Sequence, residues 1–524
     1  IFLELFLYFL ALILTLHMSK PPIVGIDLGT TNSCISIMRD GKPEIIANQE
    51  GFRTTPSIVN ISTDINGSQK VTVGQKAEKL LISDPQNTIS NAKRLLGRSY
   101  EEIGEYAKKL PFKLEKDGES VKIQIANKFF TPSEISAFVL EKLKTAAEKY
   151  INKPIKYAVI TVPAYFNHNQ REETRKAGES AGLKVLRVLN EPTSAALNHQ
   201  ISGTIAVYDL GGGTFDISIL EKADNIFEVK ATSGDSFLGG DDIDNLMTDF
   251  LLKKYNLDDS KRPLIKNIAE KAKKELSTHE KTTLEIPNGE SFVLTREHFE
   301  TLVRPIIEKT ILPCKKALRD ANLKNVDHLV LVGGMTKMPL VRKISSEIFK
   351  QKPLTTLCPD ESVAQGAAIQ GAILAGDVKK LLLDVTSLSL GIETVGGLMS
   401  TIVKRNTTLP LRKSSVFTTS EDNQQEVIIN IYQGEDENVN KNTFLGKIVL
   451  KDIPPLPRGV PKIEIGFEAD VNGIYRVTAK DLLTDKQQSA EVTGIKTKED
   501  EVFQQLNQKN PKKSVFEMIK QVFY

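Results

Sequence analysis

Two short stretches with the same residue order decide the fold of this chain. The first is Asp27-Leu28-Gly29-Thr30-Thr31-Asn32, and the second is Asp209-Leu210-Gly211-Gly212-Gly213-Thr214-Phe215-Asp216. Each follows a run of apolar residues, 23–26 in one case and 205–208 in the other, and such runs are typical of buried strands. The two leading aspartates lie 182 positions apart. This repeated order of strand, Asp, glycine turn and Thr indicates a duplicated half-domain.

The residue types in these turns are suited to binding a triphosphate. Glycine lets backbone N–H groups approach phosphate oxygens closely, and Thr adds a hydroxyl donor. Asp27 and Asp209 can hold Mg²⁺, mostly through water, because Mg²⁺ keeps much of its hydration shell. One such turn alone is more often an ordinary β-turn, but two in matching order favour a nucleotide clamp. A third turn, Gly333-Gly334-Met335-Thr336, also follows an apolar run, and it is either a nucleotide contact or a plain strand-to-helix turn.

Composition and absent motifs exclude several classes of protein. The 524 residues are enough for three or more domains, and 40% hydrophobic with 26% charged residues is typical of globular protein. A net charge of +3 gives no reason to expect nucleic-acid or membrane-surface binding. Three scattered cysteines exclude a disulfide framework and suit a reducing compartment, so we expect a cytoplasmic location. The chain has no P-loop, dinucleotide or zinc-protease motif.

The texture of the chain predicts five segments. Residues 1–17 are almost wholly apolar; they are too short for a spanning helix and lack a basic n-region, so we interpret them as sequence upstream of a start at Met18 rather than as an anchor or signal peptide. Strands alternate with helices over 18–376, which predicts an α/β unit. Residues 377–384 form a linker, and 385–496 are an all-β unit rich in turns. Residues 497–524 are too few to make a domain.

The glycine turns resemble those of the heat-shock-70 (DnaK) chaperones, as do the motifs at 161–166, 190–193, 238–242 and 333–339. The resemblance extends from residue 23 to about 492. It implies an α/β actin-like ATPase domain built from duplicated ribonuclease-H-like halves, then a linker, an all-β sandwich that binds peptide, and a helical lid. Only about thirty residues follow 492, so we expect the lid to be largely missing and peptide release to be rapid.

The resemblance implies a site for ATP or ADP with Mg²⁺. The implied catalytic residues are Asp27, Lys93, Glu191, Asp209, Thr214 and Asp216. Without the resemblance, Lys93 is simply a solvated helix lysine. The implied nucleotide-binding residues are Gly29, Thr30, Thr31, Asn32, Gly211, Gly212, Gly213, Gly239, Gly240, Glu270, Lys273, Lys274, Ser277, Gly333, Gly334 and Asp360. Some members have Arg stacked on adenine where this chain has Lys274, which lacks the planar guanidinium.

The resemblance also implies a peptide groove and a route of communication to it. The groove residues are Ile392, Thr394, Val395, Phe417, Ser420, Val427 and Ile429, although each apolar member is equally suited to the core of the sandwich. The communicating residues are Pro163, Arg171, Leu381, Leu382, Leu383 and Asp384.

The function implied is that of an ATP-dependent chaperone whose affinity for extended hydrophobic segments depends on ATP binding and hydrolysis. The implied partners are client peptides, a J-domain co-chaperone, a nucleotide exchange factor and, for an HscA-like branch, an iron–sulfur scaffold protein. The compact stretch at 283–290 is similar to that branch. A small-molecule kinase or a filament protein would share the glycine turns but would not need residues 377–492. A binding-only relative is a further alternative, which the presence of Lys93 and Glu191 disfavours.

Overall fold

The computed structural model describes residues 21–63, 68–118, 120–354, 358–471 and 475–491. The apolar leader, the start at Met18 and the segment 497–524 therefore lie outside the described residues. Within the described residues, no helix combines the length and the apolar character that crossing a bilayer requires.

Two six-stranded sheets share one strand plan, as the repeated turn motif predicts. In each sheet two strands lie parallel to a central strand, which continues into an antiparallel hairpin. The first sheet contains Lys184–Asn190, Tyr157–Val162, Ile23–Asp27, Asn32–Arg39 and Lys42–Ile45, with Thr55–Pro56 paired to its hairpin. The second contains Pro353–Leu354, His328–Val332, Gly203–Leu210, Phe215–Ala223, Ile226–Asp235 and Leu381–Leu383. The last strand of the second sheet has no counterpart in the first.

Helices and small sheets cover these two sheets. The helices are Gln75–Glu78, Tyr100–Ile103, Pro132–Ile151, His168–Ser180, Glu191–Leu197, Gly240–Lys254, Arg262–Glu275, Arg296–Glu308, Ile311–Asp320, Pro339–Phe349 and Ser362–Leu374. Short 3-10 turns lie at Pro85–Asn87, Ala92–Arg94, Gly104–Lys109, Asp259–Lys261, Gly334–Lys337 and Val439–Lys441. The small sheets contain Val59–Thr63, Gln69–Val73 and Thr88–Ile89; Lys113–Asp117, Ser120–Ile125 and Lys128–Phe130; and Lys281–Glu285 with Ser291–Thr295.

The sequence pattern predicts one helix over 296–321, and this prediction is wrong. One helix ends at Glu308, and a second helix begins at Ile311. Pro313 has no N–H to donate to the carbonyl of Lys309, and its ring crowds that carbonyl, which favours a break in the helical hydrogen bonds at this point. The amide of Thr310 instead bonds to Ile307 O at 3.1 Å, which is the tighter spacing of a helix end.

Two helices cross between the sheets and join the halves. Ser362–Leu374 is buried on nearly all sides and packs on both Ile23–Asp27 and Glu191–Leu197. The close crossing requires glycine, because a Cβ at Gly366 would overlap the backbone carbonyl of Ser194. An apolar core that includes Val159, Val207 and Ala367 fills the space between the halves.

The eight strands between residues 390 and 491 form a sandwich of two four-stranded antiparallel sheets. One contains Leu398–Val403, Leu390–Thr394, Val427–Gln433 and Thr443–Leu450. The other contains Leu411–Phe417, Ile463–Ala469, Tyr475–Asp481 and Gln487–Glu491. Alternate residues of Ile463–Ala469 are buried, as expected of a strand with one face against a core.

Candidate functional site

The two glycine turns meet across one narrow cleft. A Cβ at Gly212 would overlap the hydroxyl of Thr31, and a Cβ at Gly213 would lie 2.5 Å from Thr30 Cγ2. Only glycine allows the second turn to approach the first this closely. The structure therefore brings together the two turns that the sequence predicts to be opposed.

The other predicted members of the turns are held by backbone contacts. Gly29 offers its carbonyl to the hydroxyl of Ser57 at 2.7 Å, and Asn32 begins the strand Asn32–Arg39. The amide of Gly211 donates to Thr214 O at 3.1 Å and closes the second turn. The amide of Gly240 donates to Gly211 O at 3.0 Å, and a Cβ at Gly239 would press on the backbone of Gly212.

Four carboxylates converge at the base of the cleft. Asp27 ends a central strand, Asp209 and Asp216 face each other in register on neighbouring strands, and Glu191 begins a buried helix. Burial, followed by the charge of Glu191, raises the pKa of Asp27 to about 7 and that of Asp216 to about 8. The same two causes raise the pKa of Asp209 well above its ordinary value. The cleft therefore holds more negative charge than its own side chains neutralise.

Lys93 is a buried cation that lies beside these acids. Its side chain is only 4% exposed, and its Nζ donates to Glu191 Oε1 at 2.5 Å. It lies on the 3-10 turn Ala92–Arg94 rather than on a regular helix, and its ammonium group stands 5.8 Å from the ring centre of Phe166. The interpretation of Lys93 as a solvated lysine is therefore wrong.

The acids fit a hydrated divalent cation better than a directly ligated one. Buried carboxylates with raised pKa values gain from a nearby positive charge. Among the residues that the structure describes, however, no group of three or more His, Cys, Asp or Glu side chains is arranged to ligate one metal ion. Mg²⁺ bound mainly through its own waters satisfies both observations.

The predicted nucleoside residues come from three elements. Glu270, Lys273 and Lys274 lie on the helix Arg262–Glu275, and Ser277 follows its end with its hydroxyl on Lys273 O at 3.1 Å. Lys273 pairs with Asp244 at 2.6 Å, and Lys274 pairs with Glu270 at 2.7 Å.

The third glycine turn lies against the second half of the cleft. Gly333 has a φ of 82°, and a Cβ there would lie 2.8 Å from Asp209 Oδ1. Gly334 follows beside Asp360, whose carboxylate pairs with Lys337.

The predicted linker, residues 377–384, contains the sixth strand of the second sheet. Leu381–Leu383 pairs in parallel with residues 226–228, and Leu382 packs into the apolar core between the halves. Asp384 follows and accepts from Asn190 Nδ2 at 2.8 Å. Arg171 is buried and donates to Asn190 Oδ1 and to Ala164 O, in the loop that follows Pro163. The predicted communicating residues are thus brought together between the acids and the sandwich.

The sandwich contacts the α/β unit through further polar pairs. The amide of His168 donates to Gln433 Oε1 at 2.9 Å, and the His168 ring stands 5.7 Å from that of Tyr475. Arg405 Nη2 lies 3.0 Å from Asp320 Oδ2, and its Nη1 lies 2.7 Å from Glu435 Oε2.

The predicted groove residues divide between core and surface. Ile392 and Ile429 are buried in the core of the sandwich, while Phe417 and Val427 pack against that core from partly exposed positions. Val395 is 81% exposed, Ser420 is exposed, and Thr394 Oγ1 donates to Leu398 O at 3.0 Å. For Ile392 and Ile429 the structure therefore supports the alternative role in the core.

Sequence reasoning missed several polar residues at these sites. His168, Gln433 and Arg405 join two units that are distant in sequence, so no local pattern could have indicated them. Arg94 and Asp241 also meet across the cleft. The sequence did contain a local signal for both residues, because Arg94 directly follows Lys93 and Asp241 directly follows Gly240.

Comparisons with known proteins agree on one family. The family model described as Hsp70 protein matches residues 23–521. A mitochondrial-type heat shock protein 70 of Encephalitozoon hellem is 50% identical over 515 residues, covering 92% of this chain and 86% of that protein. The protein of the same name from Encephalitozoon cuniculi (strain GB-M1) is 51% identical over 497 residues, covering 90% and 83%. The mitochondrial heat shock 70 kDa protein of Pisum sativum is 48% identical over 493 residues, covering 89% and 72%.

These relatives correct one prediction and weigh against another. The cytoplasmic location expected from the cysteines is wrong, because all three relatives are named as mitochondrial or mitochondrial-type proteins. Unpaired cysteines indicate a reducing environment, and this property does not identify the compartment. The comparisons also do not favour the HscA-like branch.

Members of the matched family are ATPases that bind ATP or ADP with Mg²⁺, bind client peptides and work with co-chaperones. The match covers both the α/β unit with its opposed turns and the sandwich. The chain therefore belongs to the Hsp70 family and is an ATP-dependent chaperone.

Proposed function

We propose that the cleft between the glycine turns is the ATPase site, and that the two halves form an actin-like domain over residues 18–376. Thr30, Thr31 and the amides of the two turns would bind the phosphates. Asp27 and Asp209 would hold Mg²⁺ through its waters, and Gly29, Asn32 and Gly211 would shape the turns. When bound, the metal ion neutralises charge on the phosphate oxygens. The convergence of Asp27, Asp209 and Asp216 without enough internal counter-charge is the observation that supports this most.

Lys93 and Glu191 would act together on the terminal phosphate and the attacking water. Phosphoryl transfer depends mainly on positioning and on stabilising charge. The Lys93 ammonium would stabilise charge on the γ-phosphate, while Glu191 orients the water and Thr214 contributes its hydroxyl. Asp216 already accepts from the amide of Tyr165 at 2.9 Å, so it links the cleft to the loop that begins at Pro163.

We further propose that Glu270, Lys273, Lys274, Ser277, Gly333, Gly334 and Asp360 enclose the nucleoside. The ion pairs of Lys273 and Lys274 support this proposal. A lysine whose ammonium group is held by a carboxylate leaves its aliphatic chain free to line an apolar surface, here one side of the nucleoside pocket. Gly239 and Gly240 would connect that side of the pocket to the second glycine turn.

Residues 377–384 would transmit the nucleotide state to the sandwich, which we assign to 385–496. Leu381–Leu383 extends the same sheet that contains Asp209 and Asp216. A shift of that sheet would therefore move the strand edge with which the linker pairs. Two sites coupled in this way share one coupling free energy. An extended client segment would bind near Ile392, Thr394, Val395, Phe417, Ser420, Val427 and Ile429.

Specific partners follow from the same proposal. A J-domain co-chaperone would act on the ATP-bound form, and a nucleotide exchange factor would open the cleft.

The mitochondrial names of the relatives lead us to propose a mitochondrial-type chaperone. Fractionation of cells with an antibody to this chain tests that location, and recovery outside the organelle would contradict it.

ATP hydrolysis measured with and without an aliphatic heptapeptide tests the proposed function. We expect slow basal turnover that rises several-fold when peptide is present, and loss of turnover in Lys93→Met. A phosphorylated small molecule would instead indicate a kinase. Nucleotide binding without turnover would indicate a binding-only relative.

A further inference from the structure

Arg94 is a fully buried cation that crosses from one half of the α/β unit to the other. It lies on the turn Ala92–Arg94, directly after Lys93, and its side chain is 0% exposed. Burying a guanidinium is costly unless hydrogen bonds and opposite charges surround it. Its partners therefore indicate what the arginine does.

Two of these partners belong to the second glycine turn and its support. Arg94 Nε and Nη2 both donate to the carbonyl of Gly213, at 3.2 and 3.0 Å. Nη2 also donates to Asp242 Oδ2 at 2.5 Å, and that same oxygen accepts from the amide of Gly239 at 2.8 Å. One guanidinium thus fixes both the phosphate turn and the loop packed behind it.

The planar shape of the guanidinium is used as well as its charge. Its carbon lies 5.1 Å from the ring centre of Tyr106 and 5.8 Å from that of Phe237. Neighbouring aromatic faces favour a flat cation, and a lysine cannot donate two parallel bonds from a rigid fork.

The contact with Gly213 determines the orientation of one peptide group. The carbonyl of Gly213 and the amide of Thr214 belong to the same trans peptide, in which C=O and N–H point in opposite directions. Holding the carbonyl toward Arg94 therefore turns the Thr214 N–H away from it. Among the described residues, no backbone carbonyl accepts from this amide. Gly213 itself lies in close contact with both Arg94 and Thr30.

We propose that Arg94 is a positioning residue for ATP hydrolysis, which orients the Gly213–Thr214 peptide so that its N–H binds a phosphate oxygen. This inference rests on the proposed function of the cleft. Because Arg94 and Lys93 are adjacent on one turn, the same short segment fixes the Thr214 peptide of the second half and supplies the lysine that contacts Glu191. Many groups of the cleft would hold the nucleotide, whereas this N–H would gain strength as charge develops on the transferred phosphate, so we expect hydrolysis to depend on this orientation more than nucleotide binding does.

Arg98 provides a matched control within the same chain. It is also a buried arginine, it also reaches the second half through Ser236 Oγ at 2.8 Å, and it stacks on Phe237 at 4.2 Å. It makes no contact with Gly213 among the described residues. Any effect of removing a buried arginine beside Phe237 is therefore shared by Arg94 and Arg98, whereas an effect on the glycine turn is not.

The test compares Arg94→Ala and Arg94→Lys with Arg98→Ala in the full chain, by single-turnover ATP hydrolysis and by equilibrium binding of ATP. We expect hydrolysis to fall about 10- to 100-fold in both Arg94 variants, the range for losing hydrogen bonds to a charged group. The Kd for ATP should rise less than about threefold, and Arg98→Ala should hydrolyse ATP within about threefold of the parent.

Added guanidinium separates positioning from damage to the fold. At tens of millimolar, it should restore much of the hydrolysis in Arg94→Ala but none in Arg94→Lys, where the cavity is filled. Equal losses in Arg94→Ala and Arg98→Ala, or loss of ATP binding in parallel with hydrolysis, would overturn the inference. If Arg94→Ala does not fold, Arg94→Lys alone decides the test, and unchanged hydrolysis in that variant would overturn the inference. A parent protein without ATP hydrolysis would instead refute the proposed function.

Discussion

The cleft between the glycine turns and the surface between the α/β unit and the sandwich balance their charges in opposite ways. In the cleft, Asp27, Asp209 and Asp216 have raised pKa values because burial and neighbouring acids outweigh Lys93. At the sandwich surface, Arg405 is matched by two carboxylates from different units. The unbalanced acids therefore support the proposal that the cleft binds a cation together with the nucleotide, whereas at the sandwich surface the chain supplies both charges itself.

The largest expected effect comes from removing an acid of the cleft. Asp209→Asn should lower ATP hydrolysis at least about 100-fold, because the site loses charge that holds the metal ion. The melting temperature should stay the same or rise, since mutual repulsion among the acids is relieved. Single-turnover hydrolysis and thermal unfolding measure both effects. Glu105→Gln, which changes an exposed carboxylate, is the control; a lower melting temperature in Asp209→Asn would contradict the comparison.

The next effect concerns the linker strand. Leu382→Asp should abolish stimulation of ATP hydrolysis by peptide while ATP binding stays intact, because an unpaired charge cannot be buried against Phe227 and Val385. Stimulation by a heptapeptide is the measurement. Leu483→Asp, at an exposed leucine of the sandwich, should keep the stimulation. Stimulation that survives in Leu382→Asp would show that the linker does not couple the two sites.

His168 makes the sandwich surface sensitive to pH. Burial, and then Arg171, Arg175 and Lys176 of its own helix, lower its pKa from 6.5 to about 4. The sandwich faces it with the phenol of Tyr475, whose own pKa burial raises to about 12. Within the described part of the chain, no carboxylate acts on the His168 ring to offset the burial of an imidazolium. Separation of the units exposes the ring and returns its pKa toward the ordinary value.

Docking of the sandwich should therefore be strongest above pH 6.5 and weaken as the pH falls toward 4. The expected loss is about tenfold between pH 7.5 and 5.5, because the separated form binds a proton that the docked form excludes. Fluorescence energy transfer between labels on the two units measures docking. His168→Asn should flatten this dependence. His199→Asn, which changes a buried histidine with a similarly lowered pKa outside this surface, should retain it.

The smallest effect should come from the paired arginine of the sandwich surface. Arg405→Gln should weaken docking about fivefold, because its ion pairs are partly exposed and such pairs contribute little. Arg412→Gln, which breaks a pair with Glu468 on an arginine that is 84% exposed, should leave docking unchanged. A greater loss in Arg412→Gln than in Arg405→Gln would contradict the assignment of Arg405 to this surface.

The parts of the molecule that local chemistry determines could be predicted from the sequence. The glycine turns follow from the order of Asp, Gly and Thr, and the linker leucines follow from three apolar residues after a basic pair. The burial of Lys93 could not be predicted from residues 91–95 alone, because it depends on Glu191, almost a hundred positions away.

Other features depend on packing between elements. The spacing of apolar residues along a strand does not tell whether they line a binding groove or the core of the sandwich. Ile392 and Ile429 therefore fitted both positions until the structure showed them in the core. The contact between His168 and Gln433 exists only once the two units meet. Pro313, however, was a local signal for the break within 296–321 that the helical pattern obscured.

The duplicated sheets are unequal at one edge, where only the second has an added strand, Leu381–Leu383. When that strand leaves, the backbone amides and carbonyls of residues 226–228 lose their partners and must be solvated. An uncovered strand edge is also a template for any extended chain nearby. In this structure the same three leucines cover the edge of residues 226–228, and if the linker undocks as we propose, every cycle would expose that edge for a time.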